Sequence, residues 1–109
     1  MIFTDAMVVS GLVSSEEFET RSLVGKYYFP PIGHNERVIE AAGFSSVVTV
    51  DTTPEASAIA KAWHDSRQRY KAELQEPEEN FAGLQAFLWS VHSLLHEGKL
   101  SRELYVATK

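Results

Sequence analysis

The first apolar run, Ile2-Phe3-Thr4-Asp5-Ala6-Met7-Val8-Val9, is rich in β-branched and aromatic residues and carries apolar side chains on both parities. That is the pattern of a strand covered on both faces, and it predicts a strand over 2–9 broken by Ser10-Gly11. Ser14-Ser15-Glu16-Glu17 then places hydroxyls ahead of acids, which suits the free N–H groups and positive dipole end of a helix start. The helix is short, because Gly25-Lys26-Tyr27-Tyr28-Phe29-Pro30-Pro31 ends in prolines that block the helical state of the residues before them. This stretch reads as an aromatic loop. From His34 to Ala42 a compact helix is expected, with Val38, Ile39 and Ala42 on one face and Gly43 as a left-handed C-cap. Ser45 to Val50 is β-branched and too short for another helix, so it reads as the second strand, ending at Asp51-Thr52-Thr53.

Thr52-Thr53-Pro54-Glu55 combines capping hydroxyls, a proline suited to the first turn, and an acid three residues after Thr52, as in a capping box. The helix it opens runs to about Leu74, with Ala56, Ile59, Ala60, Trp63, Tyr70 and Leu74 on one side and Lys61, Asp65, Arg69 and Glu73 largely on the other. Glu76-Pro77 ends it. A further helix buries Phe81, Leu84, Leu88, Val91 and Leu95, widened by Phe87 and Leu94, until Gly98 supplies its C-cap. The two helices form a hairpin over 53–98. Leu100 to Ala107 is apolar and β-prone toward its end and gives a third strand. The layout is α/β, a single domain over 1–109. A strand buried on both faces needs neighbours on both edges, which two other strands in this layout do not supply, so Met1 is expected to be internal to a larger sheet.

Composition narrows the function classes. The chain has 109 residues, 44% of them hydrophobic, which is globular rather than disordered. Its formal net charge is -5 with Lys and Arg scattered, so the basic stripe that nucleic acid requires is missing. There is no cysteine, hence no disulfide framework, thiolate metal site or thiol nucleophile. No apolar run approaches the roughly 20 residues of a membrane span, and the first residues lack a signal peptide's basic n-region and cleavage site. The expectation is a cytoplasmic chain with neither nucleic acid nor membrane as partner.

Three segments together, "MIFTDAM", "VIEAAGFSSVVTVD" and "EGKLSRELYVATK", resemble the last third of a class I S-adenosylmethionine-dependent methyltransferase of the small-molecule type. Ile2-Phe3-Thr4-Asp5 resembles the end of the family's fifth strand. Ala42-Gly43-Phe44 with Ser46 to Val50 resembles the helix end and sixth strand, and Leu104-Tyr105-Val106-Ala107-Thr108-Lys109 the seventh. The resemblance implies a partial Rossmann-like sheet of three strands equivalent to the fifth, sixth and seventh, the last inserted antiparallel between the other two, with the helical hairpin as an insertion. It also implies that the cofactor, S-adenosylmethionine, is held by an upstream Gly-rich turn and an acid ending the second strand. Glycines at 11, 25, 33, 43, 83 and 98 form no G-x-G cluster, so no cofactor-binding residue is assigned and this chain alone is expected not to hold the cofactor.

Methyl transfer from a sulfonium is an in-line displacement in which the protein mostly positions the acceptor. Asp5, at a strand end where ligands bind in open α/β sheets, either orients an amine or hydroxyl acceptor or caps the following turn. Tyr27, Tyr28 and Phe29 either form an aromatic wall over a substrate, a cationic amine among the candidates, or pack the loop onto the core. His92 and His96 share a helix face at i, i+4 but lack a third ligand, so they are read as bordering the apolar stripe. His64 and Asp65 are adjacent on a helix and are expected not to pair. Trp63 and Trp89 are expected in the core or the hairpin interface, and Glu73, Glu76, Glu78 and Glu79 at a solvated hairpin tip. No catalytic or metal-binding residue is assigned. Two functions compete: the C-terminal, substrate-side part of a methyltransferase, inactive alone, or a stand-alone interaction or ligand-binding module. Either one leaves residues 2–9 to pair with a second copy or with a separate N-terminal half.

Overall fold

The computed structural model describes residues 1–23 and 27–109; Gly25 and Lys26 of the expected aromatic loop lie outside them. The elements are β1 (Ile2–Val9), α1 (Ser15–Arg21), α2 (His34–Ala41), β2 (Ser46–Asp51), α3 (Thr53–Arg69), α4 (Lys71–Leu74), α5 (Glu78–His96) and β3 (Leu100–Thr108). They build a mixed α/β fold around a three-stranded sheet of order β1-β3-β2. The last strand lies in the middle and runs antiparallel to both neighbours.

Register assigns side chains to faces, because directly opposed residues point the same way. Phe3, Tyr105 and Thr49 share one face with Asp5, Glu103 and Asp51, while Ile2, Val106 and Val48 share the other with Thr4, Leu104 and Val50. A bulge between Asp5 and Val8 shifts β1 by one residue, and the Asp5 carboxylate fastens it by accepting the Met7 N–H at 2.8 Å. The inserted residue switches parity. Phe3 and Val8 therefore reach the same face despite opposite parity, which is one source of the two-sided apolar pattern in residues 2–9.

The Tyr105 face is covered by α2: Ile39, Tyr105 and Ala107 form a cluster flanked by Phe3, Phe44 and Val47. On the opposite face the hairpin covers only one end, where Leu100 meets Ala56, Leu94 and Leu95 with Val9, Val13, Phe29 and Val91 around them. The rest of that face is bare, with Ile2 70% and Val48 55% exposed and Val50 and Val106 also open. Within this chain β1 is thus an edge strand covered on both faces only near Val8 and Val9, not along its length as the pattern suggested.

Local chemistry explains most element ends. Ser14 and Glu17 close a capping box at α1, and Gly43 and Gly98 take the left-handed conformations that end α2 and α5. Only Ile39 of the expected α2 stripe is buried; Val38 and Ala42 face outward. The Thr52 capping box does not form. Thr52 Oγ1 donates to the Arg102 carbonyl instead, and the Asp51 carboxylate accepts the Thr53 N–H at 2.9 Å and the Thr53 hydroxyl. The long helix breaks at Tyr70, and α4 closes at Gln75 with φ 54°. Its stripe splits as well: Ala56 and Ala60 are buried, while Ile59, Trp63, Tyr70 and Leu74 are exposed. The small residues let α5 approach, and the large ones fall beside the contact.

The hairpin is fastened by polar groups. Arg67 binds Glu76 through its two terminal guanidinium nitrogens at 3.0 and 2.8 Å and donates from Nε to Gln85 at 3.1 Å, so Glu76 is half-buried rather than part of a solvated tip. Gln85 Nε2 donates to the His64 carbonyl. Ser57, 4% exposed, donates to the His92 carbonyl, and His92 Nδ1 lies 3.0 Å from the Ser57 carbonyl; a carbonyl only accepts, so Nδ1 carries the proton. Contrary to the sequence expectation, His64 Nδ1 and Asp65 do meet, at 3.0 Å. Among the described residues no helix is long and apolar enough to cross a membrane.

Candidate functional site

Asp5 lies not at a strand end, as expected from the sequence, but within β1 at its bulge, and its carboxylate ties β1 to α2 and, through Asn35, to β3. Its Oδ1 holds the β1 bulge, while Oδ2 accepts from Asn35 Nδ2 at 2.9 Å. The same amide donates to the Tyr105 hydroxyl at 3.1 Å. Asn35 sits in the first turn of α2, after Gly33, whose φ of 86° brings the chain off Pro31 and Ile32 into the helix. A glycine is favoured there because that conformation crowds a Cβ.

Tyr105 is 1% exposed. Burial pushes its phenol up to about 12, with the Asn35 hydrogen bond opposing and the charges of Glu36, Asp5 and Glu103 adding to it. Glu103 lies between Asp5 and Asp51 in one row across the sheet. Burial raises its carboxyl above the ordinary range, and Asp51 and Glu36 raise it further. A small cleft of about 150 Å³ opens here, lined by Val8, Gly33, Glu36, Thr49, Glu103 and Tyr105. Its carboxylates suit a positively charged or hydrogen-bond-donating group.

The three aromatic residues go to three places. Phe29 meets Phe18 edge-on at 4.9 Å and packs on the hairpin-side core. Tyr28, 67% exposed, lies beside His34. Tyr27 carries the Arg21 guanidinium over its ring at 5.3 Å. Trp89 does join the hairpin interface, in a ladder of rings with His64, His92 and His96, whereas Trp63 is exposed. Among the described residues no group of three or more His, Cys, Asp or Glu side chains is arranged to hold a metal.

Sequence reasoning missed Asn35, which has no motif, and Arg21. A basic residue in the last turn of a helix ordinarily complements the dipole from solvent, yet Arg21 is only 7% exposed. Its charge is disfavoured by burial, with Tyr27 and Asp5 opposing that effect. The only hint of its position was the neighbouring aromatic run.

A three-stranded sheet whose last strand lies antiparallel in the centre, with helices packed on it, is here a methyltransferase-like fold. The solved structure of Haemonchus contortus phospholethanolamine N-methyltransferase 2, in complex with phosphomonomethylethanolamine and S-adenosylhomocysteine, matches this chain with a TM-score of 0.84 at 17% sequence identity. The match covers 99% of this chain and 25% of that one, so this chain spans about a quarter of its length. No protein-family model and no curated protein matches the sequence. At that identity the likeness is one of fold.

Proposed function

We propose that this chain is the acceptor-side, C-terminal part of an S-adenosylmethionine-dependent methyltransferase acting on a small molecule, with β1, β2 and β3 standing for the fifth, sixth and seventh strands of its sheet. The observation that carries this reading is the central antiparallel β3 in a fold superposable over nearly the whole chain on a methyltransferase. The open edge of β1 and the bare apolar face of Ile2, Val48, Val50 and Val106 support it, since both are surfaces that further strands and helices would cover. Asp5, with Asn35 and Tyr105, orients an amine or hydroxyl acceptor beside the acidic cleft, and of the three loop aromatics only Tyr28, beside His34 at the start of α2, is left to border it.

The described residues do not fit the cofactor. The glycine that follows the first strand, Gly11, faces the chain's own backbone: a Cβ there would lie 2.9 Å from the Gly98 carbonyl oxygen. Gly33, Gly43 and Gly98 serve helix ends. None forms a phosphate- or nucleoside-facing turn between a strand and a helix. S-adenosylmethionine is therefore held by a segment outside these residues, and this chain alone is inactive. Isothermal titration of S-adenosylhomocysteine into the 109-residue chain is expected to give no saturable heat. Tight one-to-one binding would overturn the assignment of the cofactor site to another segment.

The open β1 edge favours a second reading: a dimeric, non-enzymatic interaction or ligand-binding module whose β1 pairs with a second copy. The DNA ahead of the Met1 codon separates the two. A coding segment with a Gly-rich turn belongs to the first, and a promoter and ribosome site immediately before Met1 to the second.

A further inference from the structure

On the hairpin side of the sheet, a cleft of about 450 Å³ lies between α1, the α3–α5 hairpin and the end of β3. Its walls are apolar, including Ile59, Trp63, Phe87 and Val91, and among the described residues two arginines, Arg21 and Arg102, are its charged groups. Ile59 and Trp63 are 46% and 63% exposed. Large apolar side chains left open along a cleft of this size are what a small-molecule site presents before it is filled.

Arg21 gives the cleft its chemical sense. The side chain is more than nine-tenths buried, with its guanidinium between the rings of Tyr27 and Phe87 at 5.3 and 5.1 Å. Among the described residues its Nε has no hydrogen-bond partner, and neither Arg21 nor Arg102 is in an ion pair. Ring faces stabilise the charge but give the Nε–H no acceptor. A buried donor without an acceptor is costly, and a guanidinium fork is shaped for a planar or tetrahedral oxyanion.

We propose that this cleft binds an amphipathic small molecule by its anionic head, a carboxylate or phosphate monoester, which Arg21 and Arg102 hold while Trp63, Ile59 and Phe87 cover its apolar part. The proposal is independent of methyl transfer, and its test contains no cofactor, so its failure is separate from failure of the functional reading.

The 109-residue chain is titrated calorimetrically with octyl phosphate, octanoate, octyltrimethylammonium and inorganic phosphate, and the arginine Nε–H resonances are followed by ¹H–¹⁵N NMR. At least one octyl anion is expected to bind one-to-one, about tenfold or more tighter than inorganic phosphate and than octyltrimethylammonium, moving the Nε–H signal that Arg21→Lys removes. Whichever octyl anion binds tighter identifies the head group. Arg102→Gln, on a half-exposed side chain, is expected to weaken the anion about fivefold or more and leave octyltrimethylammonium unchanged; this variant carries the test if Arg21→Lys does not fold. The proposal is overturned if neither octyl anion binds, if octyltrimethylammonium binds as tightly, or if Arg102→Gln leaves the anion's affinity unaltered.

Discussion

Asn35 links a strand residue, Asp5, to a buried phenol, Tyr105, from the first turn of a helix. Losing the Tyr105 hydroxyl removes one neutral hydrogen bond and leaves the amide its carboxylate acceptor, so Tyr105→Phe is expected to cost about 1 kcal/mol in urea unfolding at neutral pH. The linkage has a definite sign. The folded phenol is pushed up to about 12, above the unfolded value near 10. Its contribution is therefore complete below the unfolded value and lost as pH rises toward the folded one. Parent stability should fall across that window, more steeply than that of Tyr105→Phe, and the phenolate absorbance appearing near the upper end should be missing from the variant. An unchanged alkaline titration in Tyr105→Phe would contradict the assignment. None of this was legible in the sequence, where Tyr105 stood out only as part of a strand motif and Asn35 not at all. Pairings between residues 30 and 70 positions apart depend on which strand lands in the middle of the sheet.

The elements were more legible than their ends. β-Branched and aromatic runs located β1, β2 and β3 within a residue or two, and the helical stripe located α5, because those patterns follow directly from burial. Local rules failed where a distant group competed for the same atoms. Thr52 gives its hydroxyl to the Arg102 carbonyl rather than to a capping box, and the apolar stripe of α3 includes residues that line an open cleft instead of a core. Gly11 shows the reverse, a breaker whose role is packing. The N–H groups of Ser10 and Gly11 both reach the Lys99 carbonyl, and a Cβ on Gly11 would sit 2.9 Å from the Gly98 carbonyl oxygen and 3.1 Å from Lys99 Cα. Both neighbours are backbone and cannot swing aside. Gly11→Ala is expected to destabilise by about 1–3 kcal/mol, read as a lower urea midpoint. Gly83→Ala, in α5 with open space around the added carbon, should instead be neutral or gain up to about 1 kcal/mol. Equal effects at the two sites would refute the close approach.

For the whole molecule the decisive feature is the outer side of β1, taken up at Val9, whose N–H donates to the Pro30 carbonyl at 2.8 Å, and open around Ile2 and Thr4. Met1 exchanges hydrogen bonds with Ala107 at 2.8 Å in both directions, and antiparallel pairs alternate between bonded and non-bonded rows. Phe3 and Asp5 therefore bond toward β3, while Ile2 and Thr4 turn their N–H and C=O groups to the open edge. A charge at Phe3 would be a poor probe of that edge, because Phe3 stacks on Tyr105 at 4.8 Å and the substitution would damage the core instead. Thr4→Pro removes one outward donor and leaves every bond to β3 in place. If β1 pairs with a second copy, the parent should gain mass with concentration by light scattering, while Thr4→Pro stays monomeric with an unchanged circular dichroism spectrum. Ile2→Lys should act in the same direction, since a lysine on an edge strand opposes strand addition, and Ile2 is open enough to be replaced without loss of core. A parent that remains monomeric throughout, with Thr4→Pro behaving identically, would remove the dimer and leave the edge to a separate N-terminal half. Restored S-adenosylhomocysteine binding on adding that half, blocked by Thr4→Pro, would then place the strand that completes this sheet.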